Sequence, residues 1–167
     1  MANTFVKIAT VTVPSGGQSA ITFSSIPQTY TDLCLKLSSR GVNANLYNYV
    51  SVAFNGSTSN QTQIQLEGDG SSVSSATLSN FQFITDAGSN TTNTFGNHEL
   101  YIPNYASANY KSASMDSVME QNGTTAYCDA KAYYWSINSA ITSITLTGIT
   151  GNFAEFSTAY LYGISNS

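Results

Sequence analysis

The chain has 167 residues, of which 41% are hydrophobic and only 8% charged, with a net charge of −4. This length fits a single domain, spanning residues 1–167, whose core needs no disulfide staples; the charged share lies far below the roughly 25% usual for soluble domains. The basic residues Lys7, Lys36, Arg40, Lys111 and Lys131 are scattered, which argues against nucleic-acid binding. No run is long and apolar enough for a membrane span, and the first residues lack the order of a secretory signal.

The dominant period along the chain is two. Residues 5–13 and 19–23 read as strands, and 32–38 alternate most cleanly, with Leu33, Leu35 and Leu37 on one face. Further strands are predicted over 49–54, 62–66, 76–84, 98–102, 112–119, 126–137, 141–146 and 159–164, all rich in β-branched and aromatic residues. Turn signals punctuate them at Gly16-Gly17, Asn55-Gly56, Gly68-Asp69-Gly70, Gly88 and Asn122-Gly123, the last being the clearest hairpin tip. Residues 102–111 read as a loop, and the Asn-rich stretches 43–48 and 88–97 as long surface loops and candidate contact sites.

Short strands with frequent turns predict an all-β fold, an antiparallel two-sheet sandwich of jelly-roll type, with less than about a tenth of the residues in α-helix. Leu33, Leu35, Leu37, Val50, Val52, Ile64, Leu66, Ile141 and Leu161 are expected in its core. The segment from Ala2 to Val13 is either an edge strand of this sandwich or an arm that adds its edge to a neighbour.

Chemistry is sparse. His98 is the only histidine, and its neighbour Glu99 falls on the opposite strand face, so a structural histidine is expected. The carboxylate pair easiest to assemble for hydrolysis is Glu99 with Asp116. Glu67-Gly68-Asp69-Gly70 lacks the order of a calcium loop and reads as a tight turn. One His and two distant Cys make no zinc set. The reading is therefore no enzyme, with no catalytic residue, no cofactor site and no metal site. Cys34 and Cys128 are expected to be reduced, as in a cytosol, and buried as small hydrophobes. Tyr133 and Trp135 share one strand face and Tyr134 the other; one set is core, and the other is free to serve as a platform.

The exterior is carried by neutral groups, 25 Ser, 20 Thr and 16 Asn. Such a surface suits close packing against other proteins, because few charges must be desolvated. Several stretches, in order, resemble small virion structural proteins of tailed bacteriophages. They are Phe23-Ser24-Ser25-Ile26-Pro27-Gln28-Thr29-Tyr30-Thr31-Asp32-Leu33, Phe54-Asn55-Gly56-Ser57 and Ile102-Pro103-Asn104-Tyr105, then Trp135 with Ala140-Ile141-Thr142-Ser143-Ile144-Thr145-Leu146, Gly151-Asn152-Phe153 and Tyr160-Leu161-Tyr162-Gly163-Ile164.

The resemblance implies a jelly-roll-like or lectin-like sandwich on the outer surface of a virion, with no catalytic residue to carry over. The expected role is a capsid decoration, or cement, protein: a homo-oligomer such as a trimer that binds the major capsid protein and reinforces the shell. The alternative is a tail-tip or fibre module that binds host surface glycan. One departure from the family pattern concerns the last turn, where Glu155-Phe156-Ser157 stands in place of an expected Gly-Ser pair.

Overall fold

The computed structural model describes residues 4–120 and 126–165. Among these residues there is no helix; the strands are β1 (Phe5–Thr12), β2 (Ala20–Phe23), β3 (Asp32–Ser39), β4 (Tyr47–Phe54), β5 (Gln61–Gly68), β6 (Val73–Leu78), β7 (Gln82–Asp86), β8 (Gly96–Ile102), β9 (Lys111–Glu120), β10 (Ala126–Trp135), β11 (Ile144–Gly148) and β12 (Thr158–Ile164). They form two antiparallel sheets. The larger has eight strands in the order β1-β12-β3-β8-β9-β10-β5-β6, and the smaller has four in the order β2-β11-β4-β7.

Alternation builds the interior. Leu33, Leu35 and Leu37 of β3 face inward and are at most 2% exposed. Ile21, Phe23, Val50, Val52, Phe54, Ile144 and Leu146 supply the inner face of the small sheet, and one contiguous core joins both layers. Ile141 and Leu161 are buried as expected. Aromatic rings fill one end of this core. Phe81 stacks on Tyr133 with centroids 4.4 Å apart, and Phe54 meets Phe81 and Trp135 edge-on at 5.6 and 5.5 Å.

Most of the stretches that carry the family resemblance meet in the structure. Asn55 sits at φ 53, and its Oδ1 accepts from the Thr142 and Ser143 backbone N–H groups and the Thr142 hydroxyl, while its Nδ2 donates to Ala140 O. Asp32 accepts from Asn104 N and the Tyr101 hydroxyl. Gln28 Nε2 donates to Ile26 O and Ile141 O, Ile141 N donates to Tyr105 O, and the Tyr105 hydroxyl donates to Pro27 O. Residues far apart in sequence thus satisfy one another's loop backbone, as buried polar groups require.

Several expectations are corrected. The strand predicted over 76–84 is two strands in different sheets, β6 and β7, separated by a bend. Ile64 and Leu66 are not core: they are 58% and 53% exposed. The inward residues of β5 are instead glutamines. Gln61 Nε2 donates to Val52 O, its Oε1 accepts from Phe81 N, and Gln63 Oε1 accepts from Gln82 N. These side chains bond the backbone that joins the two sheets, so burying them leaves no polar group unpaired. Alternation then forces Ile64 and Leu66 outward. Ile141 precedes β11, and β10 ends at Trp135 rather than at residue 137.

Residues 5–12 pair with β12 and form an edge strand of the chain's own sheet, with a bulge between Lys7 and Ala9. Ala2 and Asn3 lie outside the described residues. So does the turn at Asn122-Gly123, although β9 and β10 on either side of it pair antiparallel from Glu120↔Ala126 onward.

Candidate functional site

The two layers differ by four strands, so the small sheet covers only one face of the large one. The other face is exposed along β5, β9 and β10. Its composition follows from the alternation of β5, β9 and β10. Inward go Lys111, Ala113, Met115, Ser117, Asp129, Lys131, Tyr133 and Trp135; outward go Ser112, Ser114, Asp116, Val118, Cys128, Ala130, Ala132 and Tyr134. Register sets Ala132 beside Ile64 and Ser114, and Ala130 beside Leu66 and Asp116. Small side chains on β10 between larger ones on β5 leave a shallow apolar trough of about 390 Å³. Exposed apolar residues extend it: Val118 is 44% exposed, Tyr134 46% and Val73 72%. Tyr134 meets the exposed Tyr110 edge-on at 5.9 Å, so the outward member of the Tyr133-Tyr134-Trp135 run lies on this face while the other two are core.

Charge on the face is slight. Lys36 pairs with Glu99, and both side chains are about half exposed (50% and 46%), so the pair contributes little to stability. Glu99 and Asp116 do face each other across β8 and β9. Glu99 is engaged by Lys36, and Asp116 borders the shallow, open trough. Beyond the trough, the sheet ends in β6, Val-Ser-Ser-Ala-Thr-Leu, an edge strand without a charge. The opposite edge, β1, carries Lys7 and a bulge, devices that discourage pairing.

The remaining sequence candidates are structural. His98 is 1% exposed, its Nδ1 lies 2.7 Å from Ser117 Oγ, and its ring packs 4.6 Å from Phe83. A serine and a histidine are therefore adjacent, yet both are sealed from substrate. Burial, and secondarily the Lys131 ammonium, push the His98 pKa down to about 3. Cys34 and Cys128 are both free thiols. Cys34 is buried, and burial with Glu99 nearby pushes its pKa up to about 11. Cys128 is exposed on the outer face, against expectation, because the strand phase that buries Asp129 turns it outward.

Gly68-Asp69-Gly70 is a turn: Asp69 Oδ1 accepts from the backbone N–H groups of Ser71 and Ser72, which holds its carboxyl well below the usual range. Among the described residues no cluster of three or more His, Cys, Asp or Glu is placed to hold a metal ion.

The Asn-rich loops fold back on the protein. The loop after β7 wraps Arg40, whose guanidinium donates to Thr91 O, Thr94 O, Thr94 Oγ1 and Asn90 O. Asn48, which lies in β4 rather than in the loop expected over 43–48, bridges to Thr150 and Gly151.

One feature escaped the sequence reading. Where β10 and β5 run past the edge of the small sheet, their inner faces turn polar, with Asp129 opposite Glu67 and Lys131 opposite Gln65. Lys131 Nζ pairs with Asp129 Oδ2 at 2.8 Å, and both side chains are at most 2% exposed. Burial, and next the Asp129 carboxylate, raise the pKa of Glu67. Beside them, between β5, β10, β4 and β7, opens a cleft of about 260 Å³.

Comparison with protein-family models finds no match, and neither the curated proteins nor the solved structures yield one.

Proposed function

We propose that this chain is a non-enzymatic virion structural protein, a capsid decoration protein that binds the outer surface of a tailed-phage shell and reinforces it. The observation that carries this reading is the uncovered face of the large sheet. It is neutral, lined by small and apolar side chains, and offers a trough of about 390 Å³. Such a face docks onto another protein with few charges to desolvate. The uncharged edge of β6 supports self-association by strand addition, and so an oligomer that touches several capsid subunits at once. Modest contacts repeated across a lattice then sum to firm attachment.

The resemblance of the Phe23–Leu33, Phe54–Ser57 and Tyr160–Ile164 stretches to phage virion proteins points the same way. Mixing the purified chain with undecorated shells tests it. Saturable binding in high copy number and a raised temperature of shell opening are expected. Absence of binding to shells, with binding to tails or to host surface instead, would overturn the decoration role in favour of the tail-tip or fibre alternative.

A further inference from the structure

The polar cleft on the flank of the sandwich is lined by Tyr49, Gln65, Glu67, Gln82, Phe83 and Lys131, among others. It plays no part in the docking face, which lies on the other side of the large sheet. Its donors and acceptors are partly committed, and the uncommitted ones define what it takes. Gln65 Oε1 accepts from Gln63 Nε2 at 2.8 Å and from Lys131 Nζ at 3.4 Å. Gln82 Oε1 accepts from Asn80 Nδ2 at 3.2 Å. With their carbonyl ends engaged, the two amide NH2 groups have no partner among the described residues. Lys131 spends one N–H on Asp129 and one on Gln65, and an ammonium has three. Asp129 Oδ1 is buried without a hydrogen-bond partner, next to the Glu67 carboxyl across the strand pair.

Charge then selects among ligands. One ammonium, already paired with Asp129, stands against two carboxylates, so the cleft repels an anion, while a cation would have to share it with the Lys131 ammonium. A neutral ligand meets no net repulsion. Groups that both donate and accept, as hydroxyls do, match the mixture of amide N–H, ammonium N–H and carboxyl. Tyr49 forms part of the wall and meets Tyr47 edge-on at 5.3 Å, while Tyr47 meets Tyr127 at 6.2 Å. The aromatic wall suits the apolar face of a ring. The volume, about 260 Å³, falls below the roughly 300–1,000 Å³ of pockets that take drug-sized molecules.

We infer that this flank cleft binds a single neutral sugar ring, with Gln65, Gln82, Glu67 and Lys131 hydrogen-bonding its hydroxyls and Tyr49 packing against its face. The inference is independent of the decoration role, because it concerns the free chain and holds wherever on a particle the chain sits.

The test uses the full chain, labelled with 15N. The methyl glycosides of glucose, galactose, mannose and N-acetylglucosamine are titrated separately into the millimolar range, with inorganic phosphate and tetramethylammonium chloride as charged probes. At least one glycoside is expected to give saturable amide shifts centred on Tyr49, Gln65 and Gln82, and neither charged probe to saturate there. Gln82→Ala and Tyr49→Ala should each weaken that binding, Gln82→Ala by roughly five- to tenfold, the loss of one neutral hydrogen bond. Gln82 carries its backbone contacts through main-chain atoms, so Gln82→Ala keeps the test valid even where Tyr49→Ala perturbs folding.

No saturable glycoside response, a response that maps elsewhere or survives Gln82→Ala, or tighter binding of phosphate or tetramethylammonium at the cleft would each overturn the inference. Shell binding is not measured in this experiment, so its outcome leaves the decoration reading to its own test.

Discussion

Gly163 lies against the ring of Tyr30: a β-carbon added at Gly163 would fall 2.3 Å from Tyr30 Cγ and Cδ2. Gly163 is the penultimate residue of β12, paired with Val6 of β1 and Leu33 of β3, so its backbone cannot retreat without breaking ladders on both sides. The glycine in Tyr160-Leu161-Tyr162-Gly163-Ile164 is thus a seat for the aromatic ring that precedes β3. Gly163→Ala should destabilise the chain by about 1–3 kcal/mol through overpacking, measured by denaturant unfolding. Tyr30→Ala removes the clash, so the double variant should lose less than the sum of the singles; strict additivity would show that the two residues do not meet.

Phe156 occupies φ 70 in the turn before β12 and is 68% exposed. A left-handed conformation costs an L-residue roughly 1–2 kcal/mol, while glycine adopts it freely at an entropic cost of about 0.5–1 kcal/mol. This is the turn where the resemblance led to an expected Gly-Ser pair and the chain has Glu155-Phe156-Ser157. The Ser157 hydroxyl accepts from Arg40 N and donates to Arg40 O. Phe156→Gly should therefore raise stability by about 0.5–1 kcal/mol. A loss of stability would mean that the exposed ring makes a contact worth more than the strain.

The sandwich was legible because β3 alternates cleanly and the turn residues fall between strands. Strand period alone set Tyr133 and Trp135 on one face and Tyr134 on the other, but which face goes inward is decided by the packing, which buries Tyr133 and Trp135. What failed was the phase of β5. Gln-Thr-Gln-Ile-Gln-Leu offers isoleucine and leucine to a reader who expects apolar residues inside, yet three glutamines go inward because the chain needs hydrogen bonds there. No local pattern announces that Gln61 and Gln63 will meet the backbone of residues 81 and 82, some 20 positions away. The flank cleft was invisible for the same reason: Glu67 and Asp129 become neighbours only through the pairing of β5 with β10.

Acid should destabilise the fold through His98. Its pKa is about 3 when folded, against 6.5 for the ordinary side chain. Between those values the unfolded chain binds the extra proton, so stability is complete above pH 6.5 and is lost as pH falls toward 3. The full loss is on the order of 4–5 kcal/mol. Glu67 acts with the opposite sign: its folded pKa is raised, so its contribution is complete below the ordinary 4.5 and fades as pH rises through the folded value. Melting temperatures across pH 3–8 should rise more gently in His98→Gln than in the parent, and more steeply above about pH 4.5 in Glu67→Gln. A parent curve that His98→Gln leaves unchanged in slope would show that the histidine is not the titrating group.

Ile64 offers the cleanest separation of folding from attachment. It is 58% exposed, in the trough, beside Ala132 on β10 and Thr77 on β6. Lysine there keeps its ammonium in water in the free chain, so Ile64→Lys should change unfolding free energy by no more than about 0.5 kcal/mol. Pressed against a neutral partner, the same ammonium is buried without a counter-charge, a cost of several kcal/mol. Binding to shells should then fall by tenfold or more, and Leu66→Lys should behave alike.

Leu100→Ala provides the contrast. That side chain is 0% exposed, so truncation should cost about 2–5 kcal/mol in stability, and any loss of binding would follow from unfolding. Because charges on the wild-type face are few, the Lys36–Glu99 pair, Asp116 and Lys7 at its far edge, parent binding should change little between low and high salt. Undiminished shell binding by both lysine variants would move the attachment surface off this face, and a steep salt dependence would point to charged contacts elsewhere on the molecule.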